Sequence, residues 1–341
     1  MSRIQPIDPE EAMMTAAFYE QQGAARDVFK VAKTKRPVPG RGEVMVRVAV
    51  SGLNPSDVRV RTGFLGPMAF ERIIPHQDAA GTIVEVGEGV DAARINERVW
   101  VYQAQYGNSS GTAAEYVVVP SQQAVFLPEK VTFEVGACLG IAAMTACHCL
   151  FADGDIRGLN VLVHGGAGAV GEAAVQIARY SGAWVAATIR NPDDAQKVRS
   201  KGADLVIDMS SQHVAQEISK ATDGKGVDRI VEIDLLSNLK IDLDVLSSSG
   251  TISTYSLKEA DDHVLVPVFR AMKGNNAFRF VYVYTIPEEA KQKAAKVINA
   301  CLENGSYDPT IGLIVPLAQI SEAHEALESR RVKGKILIRI A

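Results

Sequence analysis

Little in the chain marks it as secreted, membrane-spanning or built for nucleic acid. Four cysteines in 341 residues are too few for a disulfide framework and fit a reducing, cytoplasmic setting. Neither sign of charge dominates, with 36 Lys and Arg against 40 Asp and Glu, a net of −4. A basic nucleic-acid surface and an acidic disordered tail are therefore both unsupported. The opening MSRIQPIDPEE has no apolar core and is not expected to act as a secretory signal. One uncharged run, Val135 to Ala152, reaches the lower length limit of a membrane span. It carries Gly140, Thr145, His148 and three cysteines, so a buried helix is expected instead. Internal repeats and low-complexity tracts are absent.

What is present is an ordinary globular composition, 47% apolar, long enough for two domains at roughly 150 residues each. The first third reads as β-rich. Strands are predicted over Met14 to Tyr19, Val28 to Val31, Val44 to Val50, Gly81 to Val86, Arg98 to Val101 and Ala114 to Val119, separated by Gly- and Pro-rich turns. From about Thr132 the rhythm changes. A helix is predicted over Glu134 to Phe151, and strand then alternates with helix: VLVH, Glu172 to Ser181, WVAATI, Pro192 to Lys201, LVID, His213 to Thr222, RIVEID, GTISTYS and FRFVYVY. That alternation predicts a doubly wound parallel sheet. An amphipathic helix, Pro287 to Asn304, precedes a tail resembling the first third in character.

The most informative segment is VLVHGGAGAVG, residues 161–171. Its turn, Gly165, Gly166, Ala167, Gly168, Ala169, Val170 and Gly171, holds G-x-G-x-x-G between an apolar strand and an amphipathic helix. A tight turn there brings backbone N–H groups against a pyrophosphate, and a helix expected to start at Gly171 points its positive end at it. A glycine triplet alone is weak evidence; the strand before and the helix after make a dinucleotide the expected ligand. After WVAAT the chain offers Ile189, Arg190 and Asn191, with no acid until Asp193. A carboxylate there would take the ribose hydroxyl of NAD, whereas Arg190 attracts a 2′-phosphate, so NADPH is favoured.

With SGLNPSDVRVRTG, PHQDAAGTIVEVGEGV, ERVWVY, GTAAEYVVVP, LPEKVTFEVGACLGIAAMTAC, KGADLVID, GKGVDRIVEID and VKGKILIRI beside the glycine turn, the chain resembles the medium-chain dehydrogenase/reductase superfamily. Within it the resemblance is to the zinc-independent quinone oxidoreductase (zeta-crystallin-like) group. It implies an α/β protein with a GroES-like β-rich catalytic domain (residues 1–132 and 286–341) and a doubly wound parallel Rossmann domain binding NADP(H) (residues 133–285). Zinc members of the superfamily carry a catalytic Cys and a His-Glu pair. By the resemblance those positions hold Asn54, Gln77 and Asp78, and no C-x-x-C exists for a structural zinc lobe, so no metal is expected. His76 is expected as a loop or cleft-rim histidine. Cys147-His148-Cys149 lies on a predicted helix, where neighbours point about 100° apart and cannot converge on an ion.

The resemblance also implies roles. Asn54 and Asp57 lie at the catalytic floor, Asn54 as an amide donor and Asp57 fixing the loop. Arg59 stands where many members have Tyr, which leaves it open between an acceptor contact and a surface arginine. Thr145, Tyr255, Ser256 and Lys335 match further cofactor contacts, while Gln176 and Arg179 are read as structural. Without a metal to stabilise an alkoxide, the fitting chemistry is hydride transfer to an electron-poor acceptor, a quinone or an α,β-unsaturated carbonyl. An enoyl-thioester or carbonyl reductase on the same fold, and an NADPH-binding or RNA-binding protein with little turnover, stand as alternatives. A homodimer paired through the FRFVYVY edge is expected, with no nucleic-acid or membrane partner.

Overall fold

The computed structural model describes residues 13–340, so the opening MSRIQPIDPEE lies outside the described residues. The chain begins with β1 (Met13–Phe18), the one-turn helix α1 (Ala25–Val28) and β2 (Lys30–Lys35). β1 and β2 pair as an antiparallel ribbon. The strand predicted over Val28 to Val31 is displaced, because Ala25 and Val28 bury their side chains by closing a helical turn. There follow β3 (Glu43–Leu53), α2 (Pro55–Thr62), β4 (Asp78–Val86), β5 (Arg98–Val101), β6 (Tyr116–Pro120), β7 (Ala124–Phe126), α3 (Phe133–Gly136) and α4 (Gly140–Phe151). Then come β8 (Asn160–Val163), α5 (Ala169–Tyr180), β9 (Trp184–Ile189), α6 (Ala195–Ser200), β10 (Leu205–Asp208), α7 (Val214–Ala221) and β11 (Val227–Glu232). The chain continues with α8 (Leu235–Val245), β12 (Leu246–Thr254), α9 (Val268–Gly274), β13 (Ala277–Phe280) and α10 (Glu288–Asn304). It ends with β14 (Ile311–Pro316), α11 (Ile320–Glu328) and β15 (Lys335–Arg339).

These elements form two compact units, one of the described residues up to Ile141 with those from Thr310 on, the other Ala142–Pro309. The first is built on a sheet ordered β14-β15-β3-β4-β5-β7, with β6 also pairing β3. Alternation along β3 sends Val44, Val46 and Val48 into a core shared with Ile83, Val99, Val101 and Val117, while Arg47 faces out. Each such valine contributes about 1.5–3 kcal/mol by leaving water. β15, from the far end of the chain, pairs antiparallel with the last residues of β3. Both chain ends thus serve one sheet.

The second unit is an all-parallel sheet ordered β10-β9-β8-β11-β12-β13. Strand order reverses between β8 and β11, the position where such sheets open a crevice at their carboxyl ends. Helix α8, not anticipated from the sequence, packs Leu235, Leu239 and Leu243 with Leu162, Ile230 and Ile252. Helix α10 packs on α5 within this unit, although residues from 286 onward were expected with the β-rich domain.

Two predicted elements are shorter than their patterns suggested. FRFVYVY is a strand only through Phe280; Val283 and Tyr284 turn inward in a short 3-10 turn. The single helix expected over Glu134 to Phe151 is broken at 137–139 into α3 and α4. The break lets Ile141 N–H turn toward Asp78, whose two oxygens each lie 3.0 Å away, so a carboxylate from another strand caps the positive end of α4. Among the described residues no helix is long and apolar enough to cross a membrane. Cys147 and Cys149 are buried in α4, and His148 is half-buried.

Candidate active site

Three strand ends converge in the first unit. The register of β3 with β4 places Gly52 opposite Asp78, and that with β15 places Leu53 opposite Ile336. Asn54 follows β3 directly, and Pro55, with its preset φ, starts α2. Asn54 N–H donates to Asp57 Oδ2 at 2.7 Å, which ties the start of α2 back to the end of β3. The Asn54 amide donates to Asp78 Oδ2 at 2.8 Å, and its carbonyl accepts from Lys335 Nζ at 2.7 Å. Lys335 also donates to Leu53 O at 3.1 Å and lies 3.7 Å from Asp78 Oδ2. Asn54, Asp57, Asp78 and Lys335 are all buried.

Burial pushes the Asp78 carboxyl up, and the Lys335 ammonium, Ile141 N–H and Asn54 amide pull it back. Asp57 is pushed well up by burial, only partly offset by the Asn54 N–H, and its Oδ1 has no partner. Arg59 is half-buried on α2, with its guanidinium over the Phe64 ring at 5.0 Å. Gln77 donates to Gln105 Oε1 at 3.0 Å.

His76 is not at a rim: it is fully buried, with a left-handed backbone at φ 79°. A directed chain of hydrogen bonds holds it there. Arginine can only donate, so Arg61 Nε–H, 3.4 Å from His324 Nδ1, leaves the His324 proton on Nε2. That proton faces His76 Nε2 at 3.0 Å, so His76 carries its own on Nδ1 and donates to Ser51 Oγ at 2.9 Å. Ser51 then donates to Thr112 Oγ1 at 2.7 Å, which donates to Asp78 O at 2.7 Å. Arg61 is itself buried, with Gly23 O and Glu328 Oε1 as acceptors. Burial and Lys335 push His76 down to about 3, and burial, His76 and Arg61 push His324 well down. Both rings are neutral, and the chain anchors the loop that carries Asp78.

In the second unit the glycine turn stands at the end of β8. Helix α5 begins at Ala169, with Gly168 as its N-cap, rather than at Gly171. Gly171 lies inside the first turn, where a Cβ would stand 2.2 Å from Gly165 O; it is a packing glycine. At Gly168 a Cβ would meet nothing closer than Gly165 O at 3.4 Å, and the residue is exposed. Protein packing does not demand glycine there, so the open space suits a ligand approaching the first N–H groups of α5. Ala167 and Val170 are half-buried and Ala169 is exposed. Gln176 and Arg179 hold structure, Gln176 Oε1 accepting from Asp308 N–H at 2.9 Å and Arg179 pairing with Asp204 at 2.8 Å.

Arg190, at the end of β9, is exposed and reaches Asp234 Oδ2 at 3.4 Å; Lys258 reaches the same oxygen at 3.0 Å. Asn191 Oδ1 accepts from Asp193 N–H at 3.1 Å. Thr145 is buried in α4; Tyr255 and Ser256 follow β12, partly exposed. Burial, with Cys149 and Glu232 nearby, pushes the Tyr255 phenol up. Behind the turn lies a buried group that sequence reasoning missed: His164 just after β8, Glu232 at the end of β11 and Asp242 on α8. Burial pushes both carboxyls up to about 7, with Asp242 adding to the rise of Glu232 and Glu232 holding Asp242 back, and burial pushes His164 down. The charged letters in VLVHGG and RIVEID were the available signal; Asp242 lay in the unrecognised α8.

Comparison with known proteins agrees with this architecture. The family described as Alcohol dehydrogenase GroES-like domain matches residues 40–129, and that described as Zinc-binding dehydrogenase matches residues 169–300. The quinone oxidoreductase of Sus scrofa is 32% identical over 304 residues, 89% of this chain and 90% of that protein. A mycobacterial quinone oxidoreductase structure superposes with a TM-score of 0.83 at 26% identity, covering 96% of this chain and 100% of the other. The crystal structure of AibC superposes with a TM-score of 0.87 at 24% identity, covering 98% and 99%, and shares the fold. The chain therefore belongs to the medium-chain dehydrogenase/reductase superfamily, in its quinone oxidoreductase-like group, and is an oxidoreductase.

Proposed function

We propose that the protein is a zinc-independent, NADPH-dependent reductase of quinones or α,β-unsaturated carbonyls. The observation that carries this reading is the Lys335 ammonium 2.7 Å from Asn54 Oδ1, where zinc relatives need a thiolate. An amide, a glutamine and a carboxylate beside a buried cation do not make a zinc site. Asn54 and Gln77 bring no charge, and Asp78 already accepts from Asn54 and Ile141 with the Lys335 ammonium 3.7 Å away. The residues do fit a dinucleotide: the Gly168 space and the start of α5 suit a pyrophosphate, and Arg190 and Asn191 suit a 2′-phosphate. Bound NADPH would supply hydride. The chain's part is to hold phosphates at residues 165–171, to keep Thr145, Tyr255 and Ser256 for the remainder of the cofactor, and to support the acceptor at the Asn54–Asp57 loop and Arg59. Lys335 sets a fixed positive charge under that loop, favourable to negative charge growing on an acceptor oxygen.

A second copy is the expected partner of the second unit's edge. β13 ends its sheet, and Phe280, Phe269, Val268 and Met272 there are 65–75% exposed. Sedimentation at micromolar concentration should give a dimer; a monomer would refute the pairing. The function is tested by following NADPH and NADH absorbance with 1,2-naphthoquinone and with a 2-alkenal. Turnover with NADPH well above that with NADH is expected. Turnover with NADH alone would overturn the role of Arg190, and turnover only with crotonyl-CoA would move the reading to an enoyl-thioester reductase.

A further inference from the structure

The glycine turn rests on a buried polar stack that the reading above leaves unused. Thr188 Oγ1 accepts from Gly165 N–H at 3.1 Å, and Thr188 O accepts from Gly166 N–H at 2.9 Å. The Thr188 hydroxyl proton then faces His164 Nδ1, 3.1 Å away. The ring's own proton sits on Nε2 and faces Asp242 Oδ1 at 2.9 Å. Burial pushes His164 down, so the ring is neutral and Thr188 is the donor to Nδ1. Behind it, Glu232 accepts from Asn238 Nδ2 at 3.0 and 3.2 Å and from Asp234 N–H. Asp242 Oδ2 is fully buried with no donor facing it, and one oxygen of Asp242, one of Glu232 and a His164 nitrogen all lie within 4.8 Å of one another. Two adjoining buried carboxyls, one with an orphan oxygen, call for a proton between them.

We propose that Asp242 and Glu232 share one proton behind the phosphate turn, and that its release to solvent leaves a second buried negative charge there and weakens dinucleotide binding. This rests on the dinucleotide reading above. The proton sits on Asp242 Oδ2 and is donated to Glu232; Asp242 Oδ1 keeps His164, His164 keeps Thr188, and Thr188 keeps Gly165. The groups facing the pair are His164 from β8, Arg190 at the end of β9, Asp234 at the start of α8 with Lys258 on it, and Tyr255 after β12. Between pH 6 and 8.5 Asp234, held below the ordinary carboxylate value, stays ionised and Tyr255, pushed up by burial, stays neutral. The pair alone of these changes charge, becoming more negative as pH rises.

The test uses Asp242→Asn, whose amide oxygen still accepts from His164 and whose NH2 donates to Glu232 in place of the proton. Glu232→Gln, which donates to Asp242 instead, is the second variant should the first not fold. NADPH affinity of parent and variant is measured by nicotinamide fluorescence from pH 6 to 8.5; the ligand's own titration cancels in the ratio. The parent should match the variant at pH 6 and bind on the order of tenfold more weakly by pH 8.5. A carboxylic-acid band in the pH 6 minus pH 8.5 infrared difference spectrum of the parent, missing from that of the variant, should accompany it. A flat ratio, a chelator-sensitive affinity pointing to a cation in place of the proton, or a band retained in Asp242→Asn would overturn the proposal. NADPH failing to bind either protein at any pH would instead refute the cofactor reading, and with it the coupling, while the infrared band reports on the proton alone.

Discussion

Replacing Lys335 by Met keeps the length of the side chain while removing its charge and three of its contacts. Asn54 Oδ1 and Leu53 O lose their donor, and Asp78 loses the cation 3.7 Å away. All three are buried, so water does not step in, and truncating one partner of a buried pair costs about 3–5 kcal/mol. The cost should depend on pH in a definite direction. Lys335 opposes the upward push of burial on Asp78; without it the Asp78 carboxyl rises further. A carboxyl whose folded value lies above its unfolded value holds its proton in the fold, so its stabilising share is lost as pH rises through the folded value. The variant therefore recovers about 1.4 kcal/mol for each pH unit below the new folded value. Urea unfolding followed by tryptophan emission in a Trp184→Phe background reads this unit, because the remaining Trp100 is fully buried in β5. The expected penalty is about 3–5 kcal/mol near pH 8 and smaller near pH 5.5. A penalty below about 1 kcal/mol, or one equal at the two pH values, would refute the reasoning.

Four further outcomes follow from the same geometry. His76 and His324 are held neutral in the fold, so the parent loses stability as pH falls below the ordinary histidine value. In urea titrations His324→Gln should reduce that acid slope by about 1.4 kcal/mol per pH unit, the raised carboxyls cancelling in the comparison. Gly171→Ala forces a Cβ against Gly165 O and should lower the melting temperature by several degrees. Gly168→Ala should leave it unchanged while weakening NADPH binding, and an unchanged affinity would remove the turn from the cofactor site. Arg190→Ala should weaken NADPH binding about tenfold and leave NADH binding as it was, checked by fluorescence titration.

The parallel sheet and its glycine turn were legible because each rests on local pattern: short apolar runs, a glycine triplet and an amphipathic helix over 172–181. The candidate site was only half legible. Asn54 and Asp57 sit in one turn and could be read together, but Asp78 and Lys335 reach Asn54 from positions 24 and 281 residues away. The burial of His76 depends on His324, 248 residues on, and no local pattern shows that pairing. The same holds for Asp242 under His164, across 78 residues. The helix expected over Glu134 to Phe151 carries Gly136 and Gly140, and it breaks between them where a tertiary carboxylate wins Ile141 N–H and leaves no room for a Cβ at Gly140. FRFVYVY fails as a long strand for a related reason, since burying Val283 and Tyr284 outweighs extending an edge.

The central claim is that reduction here proceeds without a metal, on a floor organised by Asn54, Asp78 and Lys335. The direct measurement is turnover of NADPH with 1,2-naphthoquinone by protein dialysed exhaustively against a strong chelator, with metal content determined on the same sample. Unchanged turnover at far less than one zinc per chain is the predicted result. Turnover that disappears on chelation and returns with added zinc would contradict the account.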